Sequence, residues 1–231
     1  MSYKIKKSIL YLSLILLALT CVLPFILMVV NATRSGIDIM TSFSFLPGDA
    51  LAENWETVSG YFNLFKGFYN SLLVAIPATI LTAYFSAITA YALAVYHFRG
   101  GKFILLVIVV FMMIPGQLSL LGFYNLIAKL KLVDSYIPLI IPAIAAPGTV
   151  FFLRQYLLSV LSKSLLEAAR IDGATEIHIF HRIVFPIMLP GVATMSIGAF
   201  IGNWNSYLVP LILLNSPEKF TLPVMIASLR S

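Results

Sequence analysis

Residues 167–173 read EAARIDG, and residues 174–186 continue as ATEIHIFHRIVFP. This is a long polar interval in an otherwise strongly apolar chain, and a run long enough to cross a bilayer flanks it on each side. A polar segment between two spans must lie at a membrane face, where water satisfies its polar groups. The stretch therefore predicts a polar loop, at about residues 159–190, between membrane-spanning helices.

The local pattern predicts two short helices with a bend between them. Ser164 and Glu167 have the spacing of a capping box, which predicts that the first helix begins there. Asp172 and Gly173 form a turn or C-cap signal, because glycine tolerates a left-handed backbone. Apolar residues at helical spacing then predict a second helix that two prolines end: Ile177, Phe180 and Val184, then Pro186 and Pro190.

This pattern fits two kinds of surface. The small side chains of Ala168 and Ala169 beside a glycine bend suit close docking by another protein. An amphipathic helix pair that rests on lipid headgroups has the same pattern. Patterning alone leaves both interpretations open.

The composition is that of an integral membrane protein. Of the 231 residues, 60% are hydrophobic and 10% are charged, whereas soluble domains carry about 25% charged residues. The net charge of +6 fits lysines and arginines that set membrane topology, so we expect lipid and no nucleic acid as a partner. The single cysteine, Cys21, excludes an intrachain disulfide framework and a cysteine-rich metal site.

The chain is predicted to be an all-α, polytopic transmembrane bundle with five visible spans. They cover about residues 8–30, 70–96, 103–121, 136–153 and 191–214, and a break is expected in the third at Pro115-Gly116. Residues 1–68 are predicted to form an N-terminal membrane helix and the first external loop, and residues 69–231 the transmembrane core. The lysine and arginine distribution predicts a cytoplasmic N-terminus and a cytoplasmic 159–190 loop.

The second predicted span carries a stripe of small residues and many polar ones. Alanines at three- and four-residue spacing predict close approach of helix backbones: Ala83, Ala87, Ala90 and Ala94. The polar residues fit either a water-filled cavity or hydrogen bonds between helices, and both interpretations stay open: Asn70, Ser71, Thr79, Thr82, Ser86 and Thr89.

The fifth predicted span holds the densest polar cluster, formed by Asn203, Asn205 and Ser206 around Trp204. Polar groups within membrane helices commonly face a substrate path, so these three residues are candidates to line one. Bonding between neighbouring helices is the rival interpretation.

The sequence gives little indication of a catalytic site or a metal-binding site. No zinc-protease, serine-hydrolase or paired-cysteine motif is present, and His178 with His181 alone would make a poor metal site. An intramembrane hydrolase would need a nucleophile and a base within the spans, and the predicted spans contain no histidine. A secondary transporter commonly buries ionisable residues near the midplane, and the predicted spans carry essentially none. Both remain weaker alternatives to a transporter with an external energy source.

The polar stretch also resembles a known signature. In inner-membrane permease subunits of binding-protein-dependent ABC importers, the sequence E-A-A is followed by three residues, G, nine residues, I, one residue and L-P. Here residues 167–169, Gly173, Ile183 and Pro186 fall in place, with Phe185 instead of leucine. The run from Trp204 to Pro210 resembles the segment that follows this loop in carbohydrate-importer permeases. The resemblance to the carbohydrate-uptake, maltose-transporter-type family covers about Lys4 to Arg230.

This resemblance implies a permease subunit of an ATP-driven importer in a bacterial-type inner membrane, with a sugar or oligosaccharide as substrate. The implied partners are a second permease subunit, a cytoplasmic ATPase dimer and an extracytoplasmic binding protein. ATP and Mg would bind the ATPase, and this chain would hold no cofactor and catalyse no reaction. The implied ATPase-coupling residues lie around the bend: Glu167, Ala168, Ala169, Asp172, Gly173 and Ala174.

The resemblance also implies a sixth span after the last visible one. The fifteen residues that follow Ser216 are too few for a crossing of about 20 residues. The expectation is therefore that the core is truncated at its C-terminus.

Overall fold

The computed structural model describes residues 3–229, so Met1, Ser2, Arg230 and Ser231 lie outside the described residues. All regular elements in residues 3–229 are helical, which confirms the predicted all-α membrane bundle. The chain divides into two compact units, residues 1–63 and 64–231, and each is described by itself.

The first unit contains α1 (Tyr3–Ala32), α2 (Gly36–Thr41) and α3 (Leu51–Tyr61). Helix α1 is 30 residues long, or about 45 Å, which is more than enough to cross a bilayer. The turn after it is held by Arg34, which is buried and donates to the carbonyl oxygens of Asp38 and Ser42. The Asn54 amide donates to Ala32 O and Arg34 O, and so anchors α3 to the end of α1.

The second unit is built around α4 (Leu64–Val95). It contains α5 (Gly101–Met113), a 3₁₀ turn (Gly116–Ser119), α6 (Leu120–Lys129), α7 (Ile137–Ile140), a 3₁₀ turn (Ile141–Ile144) and α8 (Pro147–Val160). It continues with α9 (Lys163–Ile171), α10 (Glu176–Ile179), a π-helical segment (Phe180–Val184), α11 (Phe185–Trp204), α12 (Leu208–Leu213), a 3₁₀ turn (Pro217–Lys219) and α13 (Leu222–Ser228). Helix α4 packs on both α8 and α11, so it is the central strut of this unit.

The alanine stripe on α4 is confirmed as a packing face. Ala87 and Ala90 are fully buried, and Ala83 and Ala94 pack against the same core. Larger side chains from α8 to α11 complete this core: Leu153, Leu157, Leu166, Ile179, Phe180, Val184 and Met188. Small residues on one helix and large ones on its neighbours allow close contact without voids.

The polar residues of α4 bond within the protein. Asn70 donates to Glu218 O and Phe220 O, and Thr82 donates to Ala143 O at 2.8 Å. Ser71 Oγ accepts from the Leu222 N–H, while Thr79 and Thr89 bond carbonyls of their own helix. Ser86 Oγ is buried without a hydrogen-bond partner. Where these residues reach other elements, the helix-packing interpretation holds.

Four helical segments of the described chain are long and apolar enough to cross a membrane: Tyr3–Ala32, Leu64–Val95, Ile137–Val160 and Glu176–Trp204. The pair Gly101–Met113 and Gly116–Lys129 would be a fifth span, bent by 93°. The break lies where Pro115-Gly116 predicts it, because proline there cannot continue the hydrogen-bond ladder.

The fourth span runs further than predicted and includes Arg154. The expectation that the spans carry essentially no ionisable residue is therefore wrong at this position. Arg154 Nε donates to Leu93 O on α4 at 3.1 Å, which satisfies part of the charged head. Arg154 lies six residues before the end of α8 at Val160.

The fifth span differs most from its prediction. It begins at Glu176 instead of Gly191, ends at Trp204 instead of Leu214, and so includes Glu176, His178, His181 and Arg182. The expectations of no histidine and of essentially no ionisable residue in the spans are therefore wrong here as well. Pro186 and Pro190 do not end it. The carbonyl that would clash with Pro186 belongs to Arg182, which lies in the π-helical segment, where the turn is wider. Ile177, which the spacing assigned to the buried face, is exposed, and Ile179 is buried instead.

Candidate functional site

The EAA-type stretch forms α9, a bend and α10. Helix α9 begins at Lys163 with Ser162 as its N-cap residue, so the predicted start at a Ser164–Glu167 capping box is wrong. Ser164 lies inside the first turn, where its hydroxyl meets that of Ser162 at 2.7 Å. Glu167 lies one turn into the helix, on an exposed side.

The predicted bend at Gly173 is confirmed. Gly173 has φ +78°, and its N–H donates to Arg170 O while the Ala174 N–H donates to Ala169 O, both at 3.0 Å. These two bonds form a Schellman motif, which ends a helix with a left-handed residue. Thr175 then caps α10, since its side chain accepts from the His178 N–H. The bend is therefore fixed by backbone geometry on both sides.

The two faces of α9 have different environments. Leu166 and Ala169 are buried in the core of the second unit. Ala168 and Asp172 are exposed, and Ile171 is 86% exposed. The structure thus places the two alanines of the EAA-type stretch on opposite sides, one inward and one outward.

Glu176 lies directly after the bend and gathers donors from two elements. Arg170 Nε donates to its Oε1 at 2.7 Å. The Tyr91 hydroxyl donates to Oε2 at 3.1 Å, and the Tyr96 hydroxyl donates to the same oxygen. The Arg170 guanidinium also lies over the Tyr96 ring, 5.9 Å from its centroid. We call Arg170, Glu176, Tyr91 and Tyr96 the Glu176 cluster.

The electrostatics of this cluster favour a charged carboxylate. Burial and the hydrogen bond to Glu176 raise the pKa of Tyr96, so its hydroxyl remains a donor. The bond to Glu176 likewise raises the pKa of Arg170. The Arg170 and Glu176 side chains are 40% and 45% exposed, so their ion pair alone contributes little. The number of donors on one carboxylate is the distinguishing feature.

Sequence reasoning missed the Glu176 cluster. The tyrosines lie 85 and 80 residues away in the chain, so no local pattern could show them. One local signal was present. Arg170 and Glu176 flank a glycine bend six residues apart, a spacing at which opposite charges can meet across a turn.

Aromatic contacts continue this seam between α4 and the start of the fifth span. The Phe180 and Tyr91 ring centroids are 5.5 Å apart, and Tyr84 OH lies 3.1 Å from His181 Nε2. His181 Nδ1 lies 2.9 Å from Ile177 O, so both ring nitrogens have partners. No group of three histidines, cysteines or acidic residues that could hold a metal occurs in residues 3–229.

Two of the three candidate path residues are brought together, and the third is not. Asn203 and Ser206 line a cavity of about 220 Å³ with Ser71 and Thr221. The Thr221 hydroxyl is buried there without a hydrogen-bond partner. Asn205 instead borders a different hollow, beside Phe68 and Phe200. Helix α11 ends at Trp204, and this break directs the polar side chains to different places.

A second carboxylate cluster lies in the turn before α7. The Asp134 carboxylate accepts the N–H groups of Asn215 and Ser216 at 3.0 Å, and the Ser216 hydroxyl at 2.7 Å. Lys219 Nζ donates to it at 2.7 Å, and this bond with those from residues 215–216 lowers the pKa of Asp134 well below its usual range. Tyr136 OH donates to Lys219 O. We call Asp134, Asn215, Ser216 and Lys219 the Asp134 cluster.

The chain is similar to known transport proteins in both sequence and fold. The family model "Binding-protein-dependent transport system inner membrane component" matches residues 75–231. The arabinooligosaccharides transport system permease protein AraQ of Bacillus subtilis is 36% identical over 99% of this chain and 83% of that protein. The lactose transport system permease protein LacG of Rhizobium radiobacter is 29% identical over 96% of this chain and 80% of that protein. The crystal structure of a bacterial ABC transporter that imports alginate contains a similar fold, with TM-score 0.81 and 24% identity over 98% of this chain and 80% of that one.

Proposed function

The chain belongs to the family of binding-protein-dependent transport system inner membrane components, and we propose that it imports a sugar or oligosaccharide as one permease subunit of an ABC transporter. Family membership displaces the two alternatives, a secondary transporter and an intramembrane hydrolase. Three similar permeases are named for arabinooligosaccharides, starch degradation products and lactose, which supports a carbohydrate substrate.

The proposed assembly contains a second permease subunit, an ATPase dimer that binds ATP and Mg, and an extracytoplasmic binding protein. The ATPase would dock on α9 at the cytoplasmic face, with the N-terminus of the chain on the same side. Cysteine labelling at Ser2 and Thr175 in a Cys21→Ser background tests this orientation. Labelling of either site from outside intact cells would contradict it.

One observation carries the coupling role: α9 is anchored on one face and open on the other. Leu166 and Ala169 fix it to the core, while Ala168, Ile171 and Asp172 face outward. Ile171 is 86% exposed, which leaves its apolar side chain available to a partner or to lipid. The Schellman motif holds this exposed face at a fixed angle to the fifth span, as docking requires.

The proposed mechanism follows from this arrangement. Closure of the ATPase dimer would push α9, and its buried face would pass the displacement to α4 and α8. The bundle would then exchange inward- and outward-facing states, with ATP shifting the equilibrium through contacts made in only one of them.

For the substrate path we propose the cavity lined by Asn203 and Ser206. Their side chains, with the unpartnered Thr221 hydroxyl, offer hydrogen-bonding groups of the kind that sugar hydroxyls need. Asn205, which was predicted with them, borders another hollow and serves as a neighbouring control. We expect Asn203→Ala to lower uptake more than Asn205→Ala, as measured by initial rates in proteoliposomes. Equal rates for the two variants would remove the cavity from the path.

The experiment that tests the coupling role is Gly173→Val in the complete transporter. A β-branched residue at φ +78° costs roughly 1–2 kcal/mol, because Cβ approaches the following carbonyl oxygen. A Cβ at Gly173 meets open space, so the effect would act on the angle of α9 and not on packing. We expect assembly with the second permease, weaker co-purification of the ATPase and loss of uptake.

Gly100→Val is the matched control. Gly100 also has positive φ, at +93°, and its Cβ would also meet open space, but it lies in the turn before α5. We expect this variant to retain ATPase binding and uptake. Normal ATPase binding and transport in Gly173→Val would favour the interfacial-helix interpretation instead.

A further inference from the structure

We propose that Glu176 is a positioning residue that fastens α9 to α4, so that displacement of α9 is carried into the transmembrane bundle. This inference rests on the proposed function, because it assumes that α9 receives the ATPase. It assigns a role to residues outside the EAA-type signature, two of which lie on a different part of the chain.

The Glu176 carboxylate joins two separate elements. Arg170 comes from the last turn of α9, whereas Tyr91 lies in α4 and Tyr96 directly after it. Both oxygens of Glu176 are used: Oε1 accepts from Arg170 Nε, and Oε2 accepts from the two tyrosines and, at 3.4 Å, from Arg170 Nη2. The carboxylate is thus the atom group through which α9 and the end of α4 are linked.

The remaining anchor of α9 is apolar, through Leu166 and Ala169. Apolar burial is non-directional, so by itself it does not set the angle at which a helix lies on a core. Hydrogen bonds weaken steeply away from linear geometry. The bonds to Glu176 therefore define the angle of α9 relative to α4, which apolar contact alone would not.

The residue type matters because an ionised carboxylate makes charge-assisted hydrogen bonds with Arg170 and with the tyrosine hydroxyls. Glutamine has nearly the same shape and can still bond these groups, since its carbonyl oxygen accepts from Arg170 and a tyrosine hydroxyl accepts as well as donates. Glu176→Gln therefore removes the ion pair and leaves weaker, neutral hydrogen bonds, while the packing volume is unchanged.

The test uses the assembled transporter, with its second permease, ATPase and binding protein, in proteoliposomes. The variants are Glu176→Gln and the double variant Tyr91→Phe/Tyr96→Phe. The matched control is Tyr84→Phe, which removes a tyrosine hydroxyl from the same seam, where it meets His181 and not Glu176. The quantity measured is sugar transported per ATP hydrolysed, with an arabinooligosaccharide as the probe substrate.

We expect the ratio to fall about five- to tenfold in both Glu176-cluster variants, within the range of typical coupling between two sites. The ATPase should still co-purify with them, and Tyr84→Phe should keep the wild-type ratio. An unchanged ratio in Glu176→Gln would overturn the proposal. An equal loss in Tyr84→Phe, or loss of ATPase binding, would also overturn it, since the cluster would then serve general packing or docking.

A second measurement reports position without transport. Spin labels at Ile88 on α4 and Ile171 on α9, both exposed, in a Cys21→Ser background give the distance between the helices. We expect a narrow distribution in the parent protein and a broad one after Glu176→Gln. Equal widths would overturn the proposal. Failure of the proposed function is distinguishable, because the parent transporter itself would then show no ATP-dependent uptake.

Discussion

Glu176 and Asp134 are two carboxylates that each collect several donors, yet the donors differ in kind. Asp134 binds two backbone N–H groups, a hydroxyl and an ammonium from residues 215–219. Glu176 binds only side chains, one from α9 and two from α4 or its end. The span Ile137–Val160 lies between them in the chain, which places them at opposite ends of that span.

The kind of donor decides what each cluster can hold in place. Backbone donors belong to the fold of their loop, so the Asp134 cluster cannot release them unless the loop itself rearranges. The donors to Glu176 are side chains of separate helical elements, so its bonds join α9 to the end of α4 and hold no loop backbone. We therefore expect the Asp134 cluster to contribute mainly to stability and the Glu176 cluster mainly to the link between α9 and α4. Three predictions examine this division.

The largest expected effect is on thermal stability after removal of each carboxylate. Asp134→Ala leaves two loop N–H groups without their acceptor and removes the charged one of the two acceptors of Lys219, which keeps its bond to the backbone oxygen of residue 134. Unmade bonds of buried or charged groups are costly. We expect it to lower the unfolding midpoint in detergent by several degrees, and Glu176→Ala to lower it by less than half as much. Similar shifts for the two variants would remove the distinction.

A smaller effect is expected from pH. The folded-state pKa of Asp134 is depressed, so its stabilisation is fully present above the unfolded value of about 3.9 and is lost as pH falls through the folded value. The difference in unfolding midpoint between the parent protein and Asp134→Asn should therefore stay constant from about pH 7 to 5 and shrink only below about pH 4. A difference that already shrinks between pH 7 and 5 would contradict the assignment.

The smallest expected effect comes from the rim of the Asp134 cluster. Tyr136→Phe removes one hydrogen bond, of 3.1 Å, to Lys219 O while keeping the ring. We expect a loss of about 0.5–1.5 kcal/mol in the free energy of unfolding and no change in sugar transported per ATP. Denaturant titration and the proteoliposome assay measure the two quantities. A fall in the sugar transported per ATP hydrolysed would show that the Asp134 cluster also contributes to coupling.

The sequence alone predicted the features that depend on neighbouring residues. The bend at Gly173 and the break at Pro115-Gly116 follow from backbone chemistry that acts within a few residues. The alanine stripe was also visible, because side-chain size repeats along one helix face. Each of these features is decided locally, so a pattern in the chain is enough.

Features that depend on distant residues were missed. The face of Ala169 is decided by the helices that surround α9, and the tyrosine donors to Glu176 and the donors to Asp134 lie about 80 residues from them. Pro186 was expected to end a helix, because the π-helical segment that accommodates it cannot be recognised from the spacing of apolar residues in the sequence. Tertiary packing set the outcome in each case.

The π-helical segment Phe180–Val184 has a consequence for the angular phase of the fifth span. Such a segment acts as a one-residue insertion in an α-helix, and one residue corresponds to about 100° of rotation. Every side chain from Phe185 to Trp204 is therefore turned by that amount relative to an uninterrupted helix that starts at Glu176. Deleting one residue within the segment would rotate Asn203 away from its cavity while leaving the Glu176 cluster in place. The insertion thus sets the rotation of the side chains at one end of this helix, about the helix axis, relative to those at the other end.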